Sequence, residues 1–201
     1  VITELQELGK LGYREVMLLG QNVNSYGKDL NGYDFADLLK EASEINSISR
    51  IRFMTSHPKD ISFKLLDVMA SGKNIMPHLH LPVQSGSDIV LNRMNRKYTV
   101  SKYLDTVDYA RSVIPGVTVT TDFIVGFPGE TDSDFEDTLS LMERVRFDNA
   151  FTFMFSPREG TPAATMPDQI PDEIKKERFN RMVELQNLCS LESGKTVKGT
   201  V

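Results

Sequence analysis

Short apolar runs alternate along this chain with longer stretches in which apolar positions recur every three or four residues. The runs begin near Glu15, Arg50, His78, Val117 and Ala150, with cores at 16–19, 51–54, 79–81, 117–119 with 124–125, and 151–155. Between them lie helical stripes: Phe35/Leu38/Leu39/Ala42/Ile45, Ile61/Leu65/Val68/Met69, Tyr103/Val107/Ala110/Ile114 and Phe135/Leu139/Met142/Val145. Strand-sized runs alternating with helical stripes predict βα units in a parallel sheet. No Asn-Gly hairpin signal joins neighbouring strands, because Asn31-Gly32 lies before a helix. A further stripe, Ile2/Leu5/Leu8/Leu11, precedes the first strand, and a long helix opens at Pro171-Asp172-Glu173 with Gly194 as its expected stop.

Every strand runs into polar or Gly/Pro-rich residues. The segment Thr121-Asp122-Phe123-Ile124-Val125-Gly126-Phe127-Pro128-Gly129-Glu130-Thr131 is the most pointed. A buried strand stops at a Gly-Pro-Gly turn, and Thr131 with Asp134 predicts a capping box at the next helix. The two glycines are expected to let the backbone approach a ligand, with Asp122 and Glu130 beside it. In parallel α/β folds the carboxyl ends of strands form the ligand face, so five such loops are expected to share one polar rim.

At 201 residues and 40 % hydrophobic, the chain can bury one sizeable core. Five strands are too few to close an eight-stranded barrel, so an open or partial barrel is expected. Nothing approaches the ~20 apolar residues that span a bilayer. A net charge of −5 argues against gripping nucleic acid by charge alone, although Arg93, Arg96 and Lys97 with Tyr98 form a local basic patch. The single cysteine, Cys189, excludes an internal disulfide and fits a reducing, cytoplasmic setting.

Three chemistries compete. His78 and His80, two apart on a strand, project from one face and could bind a metal that activates water, the signature of a metal-dependent hydrolase on a TIM-like barrel. A non-catalytic RNA-binding module is a second reading. The Gly126-x-x-Gly129 turn lacks both the P-loop lysine and a dinucleotide glycine pattern, which disfavours a nicotinamide enzyme.

The third rests on motifs read together: Leu18-Leu19-Gly20-Gln21-Asn22-Val23-Asn24-Ser25-Tyr26-Gly27, Leu81-Pro82-Val83-Gln84-Ser85-Gly86-Ser87, Arg93-Met94-Asn95-Arg96-Lys97-Tyr98-Thr99, the 121–131 segment, and Ser156-Pro157-Arg158-Glu159-Gly160-Thr161-Pro162-Ala163. Through nearly its whole length the chain resembles the radical S-adenosylmethionine (SAM) methylthiotransferases, most of all the MiaB type, which acts on N6-isopentenyl-adenosine beside the tRNA anticodon. The resemblance implies an α/β fold, a partial (β/α) TIM-like barrel with SAM across the strand ends. It also implies two [4Fe–4S] clusters in the full-length enzyme, tRNA as partner, and an electron donor such as flavodoxin or ferredoxin. A Cys-x-x-x-Cys-x-x-Cys loop would hold the cluster that cleaves SAM to a 5′-deoxyadenosyl radical. That loop and the first strand would lie upstream of Val1, so no cluster and no activity are expected of this fragment alone. Residues 1–193 would be the radical SAM core, and 194–201 the start of a TRAM-like RNA-binding domain. Methylthiotransferases acting on another tRNA base or on a protein are less similar at the first two loops.

The resemblance assigns roles at SAM. Asp122 would accept from the ribose hydroxyls. Gln84, with Ser85 and the Gly86 backbone, would hold the ribose or methionyl part. Arg96 would pair with the carboxylate, and Thr55 and Ser56 would bind the amine. Adenine would pack near Ile124, Val125 and Phe155 with Ser156 reading its rim, and Gln21 and Asn22 would face SAM or the target base.

Overall fold

The computed structural model describes residues 1–54 and 56–196. Its elements are α1 (Ile2–Lys10), β1 (Glu15–Leu18), α2 (Phe35–Ser43), β2 (Arg50–Phe53), α3 (Phe63–Ser71), β3 (His78–His80), α4 (Asp88–Arg93), α5 (Val100–Val113), β4 (Thr118–Val125), α6 (Asp132–Val145), β5 (Asn149–Met154) and α7 (Asp172–Thr196). The five strands start within a residue of the positions the apolar pattern marks. Two compact units result, one comprising Val1–Leu81 with Asp105–Thr118, the other Pro82–Leu104 with the chain from Val119 onward.

In the first unit β1 and β2 pair in parallel, Val16 beside Ile51 and Leu18 beside Phe53. Ile51 also bridges Ile75, and the Met76 amide donates to its carbonyl at 3.0 Å. The core under these strands is supplied by the predicted stripes, with Leu38, Leu39, Leu65, Leu66 and Val107 all buried. α2 starts at a capping box between Asp34 and Asp37, and α3 at Ser62, whose hydroxyl accepts from the Leu65 amide. Each satisfies helix-end donors that would otherwise lack partners.

In the second unit β4 and β5 pair in parallel, Asp122 beside Phe151 and Ile124 beside Phe153. β4 runs unbroken for eight residues and joins the two apolar cores, 117–119 and 124–125, that the sequence placed on this one strand. Its burial alternates strictly: Val119, Thr121, Phe123 and Val125 are buried, while Thr118, Thr120, Asp122 and Ile124 are partly open. Period-two alternation sorts these side chains onto opposite faces of the strand. Val125 therefore points away from the face bearing Asp122, which corrects the expectation that it packs on adenine.

α6 begins at the predicted capping box, Thr131 with Asp134. α7 packs along both β5 and α6. It passes through Gly194 to Thr196, so that glycine does not stop it. The strand-like pattern expected at the carboxyl end begins instead in helix, and 197–201 lie outside the described residues. α4 was not foreseen: six residues are too short for a helical stripe to show.

Candidate functional site

The Pro82-Val83-Gln84 segment is drawn onto β4 as a short parallel extension. The Gln84 amide donates to the Asp122 carbonyl at 2.8 Å, and the Ile124 amide donates to the Gln84 carbonyl at 2.9 Å. One residue earlier, the Val83 amide donates to Thr121 Oγ1 at 2.9 Å. Tyr98 clamps this segment, its buried hydroxyl donating to the Val83 carbonyl at 3.1 Å. Burial pushes the Tyr98 phenol up to about 12, so it remains a donor at any physiological pH.

Gln84 holds φ at +72°, although it is neither glycine nor exposed. The left-handed region costs an ordinary residue about 1 kcal/mol or more, and such strain gathers at ligand sites. The side chain lines a cavity of about 530 Å³ together with Asp122, Ile124, Phe153, Phe155 and Ser156. An adjoining cavity of about 550 Å³ has Arg96, Arg93 and Phe127 on its wall and shares Ile124, Thr161 and Ala163 with the first. Thus Gln84, Asp122, Ile124, Phe155 and Ser156 line one hollow, with Arg96 at its neighbour.

Ser85 and Gly86 face elsewhere, contrary to expectation. The Ser85 hydroxyl lies 3.3 Å from Thr138 Oγ1, and the Gly86 amide donates to the same oxygen at 2.9 Å. A Cβ on Gly86 would sit 2.5 Å from Thr138 Cα. Both residues therefore seat the chain against α6. Ser87 continues this role: it caps α4 and donates to Asp134 Oδ1 at 2.5 Å. Burial pushes the Asp134 carboxyl up, but hydrogen bonds from Ser87 and Thr131 outweigh it and hold the group below its ordinary value.

The Gly126-Phe127-Pro128-Gly129-Glu130 turn is likewise built for this chain's own cations. Gly126 and Gly129 hold φ at +74° and +77°, and a Cβ would strike Lys175 at the first and the Arg93 guanidinium at the second. Glu130 is buried, accepts from the Gly126 amide at 3.0 Å, and meets Arg178 Nη1 at 2.7 Å. Arg178 Nη2 reaches Asp132 at 2.6 Å, and Arg93 Nη1 donates to the Pro128 carbonyl at 3.1 Å. Burial raises Glu130 above the ordinary carboxyl value of 4.5, and Arg178 only partly offsets it. The expected ligand carboxylate at Glu130 is thus a buried structural anion. No sequence signal exposed Lys175 or Arg178, since both read as ordinary polar positions on a helix. Phe153, Arg158 and Thr161 of the cavity wall also went unassigned.

Gln21, Asn22 and Ser56 belong to the first unit, and Thr55 lies outside the described residues. Asn22 lines a cavity of about 460 Å³ with Leu19, Gly20 and Tyr26, while Gln21 is exposed. Asn22 Nδ2 donates to Asp60 at 2.7 Å, but Asn22 Oδ1 and the Ser56 hydroxyl are buried without a hydrogen-bond partner. Buried polar atoms without partners are rare enough to mark places where a polar ligand or water belongs.

The radical SAM superfamily profile matches residues 1–142, most of the chain. The chain belongs to the radical SAM superfamily. It is 55 % identical over its whole length to a tRNA-2-methylthio-N(6)-dimethylallyladenosine synthase of Thermoanaerobacter pseudethanolicus, of which it covers 43 %. It is 53 % identical, again over its whole length, to the synthase of the same name from Acetivibrio thermocellus, covering 42 %. The chain therefore spans less than half the length of these curated relatives. Among solved structures, coproporphyrinogen III oxidase from Escherichia coli aligns over 94 % of this chain and 44 % of its own, with a TM-score of 0.70 at 18 % identity. The methyltransferase TsrM from Kitasatospora setae covers 82 % of this chain and 32 % of its own, with a TM-score of 0.64 at 15 % identity. At such identity the likeness concerns the fold alone, an α/β fold of parallel strands, as the strand–helix alternation predicted and as the radical SAM resemblance implied in more detail.

The superfamily implies SAM and an iron–sulfur cluster, and the chain fits the two differently. A buried amide and a carboxylate on an apolar hollow, with a guanidinium on the adjoining one, suit a zwitterionic nucleoside. A cluster takes several thiolates. Only Cys189 is present, buried on α7, so the described residues do not fit that cofactor. The hydrolase alternative finds no support among the relatives, which are methylthio synthases by name, and among the described residues no group of three or more His, Cys, Asp or Glu is placed to hold a metal ion. Nor is any described helix long and apolar enough to cross a membrane.

Proposed function

We propose that this chain is the SAM-binding core of a cytoplasmic enzyme that adds a methylthio group to C2 of N6-isopentenyl-adenosine in the anticodon stem-loop of tRNA. The observation that carries the reading is the convergence of Gln84, strained into the cavity, with Asp122 and Ile124 on one face of β4. The names and identity of the relatives direct it toward tRNA. SAM, when bound, supplies the methyl group and the one-electron chemistry. Cluster ligands and an electron donor such as flavodoxin or ferredoxin come from outside this sequence.

Each residue meets a different part of the cofactor. Asp122 accepts from the ribose hydroxyls, a charge-assisted bond that is stronger than a neutral one. Gln84 offers both a donor and an acceptor to the ribose or the methionyl group. The Arg96 fork pairs with the carboxylate, while Ile124 and Phe155 pack on adenine and Ser156 reads its rim. In the first unit, the Ser56 hydroxyl and Asn22 Oδ1, buried without a hydrogen-bond partner, are candidates for polar ligand contacts of that unit by itself. Ser85 and Gly86 drop out of this contact set.

The test is a nucleoside digest. The full-length protein containing this chain, reconstituted without oxygen, is incubated with SAM, a reductant and an anticodon stem-loop bearing N6-isopentenyl-adenosine. Mass spectrometry should find the methylthio increment on that adenosine. SAM turnover with the increment on another base, or on none, contradicts the proposal.

A further inference from the structure

β5 carries an aromatic side chain that the cofactor contacts leave unused. Parallel register places Phe153 beside Ile124 and therefore on the face that bears Asp122. Its ring lines the same hollow as Gln84 and Asp122, yet 55 % of the residue remains exposed. Phe155, two residues on, differs: it packs edge-on against Phe127 at 5.1 Å between centroids and carries Lys175 Nζ 5.9 Å from its own. Ile124, Met154 and Ala163 line the same hollow and add to its apolar wall. A half-open phenyl inside a mainly apolar hollow is a receptor for an apolar group, since hollows of this kind draw affinity from such walls and orientation from a few polar groups.

Resting on the function proposed above, we infer that Phe153 is a specificity-determining residue that receives the dimethylallyl group of the target adenosine. That five-carbon branched group has no hydrogen-bonding atom, so only apolar contact distinguishes it from the bare N6 amine. Continuity of the Phe153 wall with the Gln84–Asp122 end brings prenyl group and cofactor into one hollow. Removing the ring takes away apolar contact worth about tenfold in discrimination or more, the low end of what an apolar pocket gains from one methylene.

The experiment uses the full-length protein with SAM and two fluorescent anticodon stem-loops, one with N6-dimethylallyl-adenosine and one with adenosine, read by anisotropy. Wild type should favour the prenylated RNA by about tenfold. Phe153→Ala should lose that preference, binding prenylated RNA about as weakly as the bare one, while Phe153→Leu keeps part of it. Discrimination that survives Phe153→Ala overturns the inference and leaves the proposed function standing. Equal weakening toward both RNAs, or a matching fall in SAM affinity by equilibrium dialysis, also overturns it by placing Phe153 elsewhere in the work. If wild type binds neither RNA, the proposed function falls, and this inference with it.

Discussion

Replacing Arg178 by methionine isolates the ion pair that fastens the end of β4 to α7. The wild-type guanidinium is buried and meets Glu130 at 2.7 Å and the exposed Asp132 at 2.6 Å. Methionine fills much of the volume but leaves Glu130 buried with the Gly126 amide as its one remaining donor among the described contacts. Removing one partner of a buried pair costs about 3–5 kcal/mol, because the other charge stays desolvated. The expected effect is therefore loosening of the 126–130 turn, with amide exchange of Gly126 faster by about two orders of magnitude or more at pH 8. Acidity should mitigate it. Burial already raises Glu130 above 4.5, and a raised acid adds stability that is complete below its unfolded pKa and lost as pH rises through its folded pKa. Without Arg178 the folded value rises further, so the deficit should be widest near pH 8 and shrink toward pH 5. Hydrogen exchange with mass readout across this range is the assay. A deficit below about 1 kcal/mol, or one that does not change with pH, would refute the argument.

Gln84→Gly should relieve the strained φ of +72° and leave thermal stability equal or slightly higher, while SAM binding falls in equilibrium dialysis. Gly126→Ala should destabilise by more than about 1 kcal/mol in thermal unfolding, since the new methyl meets Lys175 at a left-handed φ. Tyr98→Phe should cost about 1 kcal/mol by removing the bond to the Val83 carbonyl, with its main effect seen in exchange of the 82–84 segment.

Much of the architecture was legible because strands and helices leave different periods in the sequence. The run at 16–19 and the stripe from Phe35 through Ala42 can each be read without knowing their partners. The capping box at Thr131 was readable for the same reason, being local. Partner choice is what the pattern conceals. Glu130 and Asp122 are both carboxylates flanking one turn, yet only the tertiary approach of Arg178, 48 residues on, makes one structural. Gly86, Gly126 and Gly129 look alike as ligand-cradling glycines, but what each would strike is helix backbone, a lysine and an arginine. Phe153 went unassigned because a phenylalanine in an apolar strand reads as core. Its exposure depends on which face the register gives it.

The account turns on SAM lying against Gln84 and Asp122, and direct binding tests that most plainly. Radiolabelled SAM should be retained by the full-length protein in equilibrium dialysis. Asp122→Asn and Gln84→Ala should each weaken retention by about tenfold or more, as expected when a buried hydrogen bond to a ligand is lost, with far-ultraviolet dichroism unchanged. Affinities within about twofold of wild type for both variants, a span far below the cost of such a bond, would contradict the account.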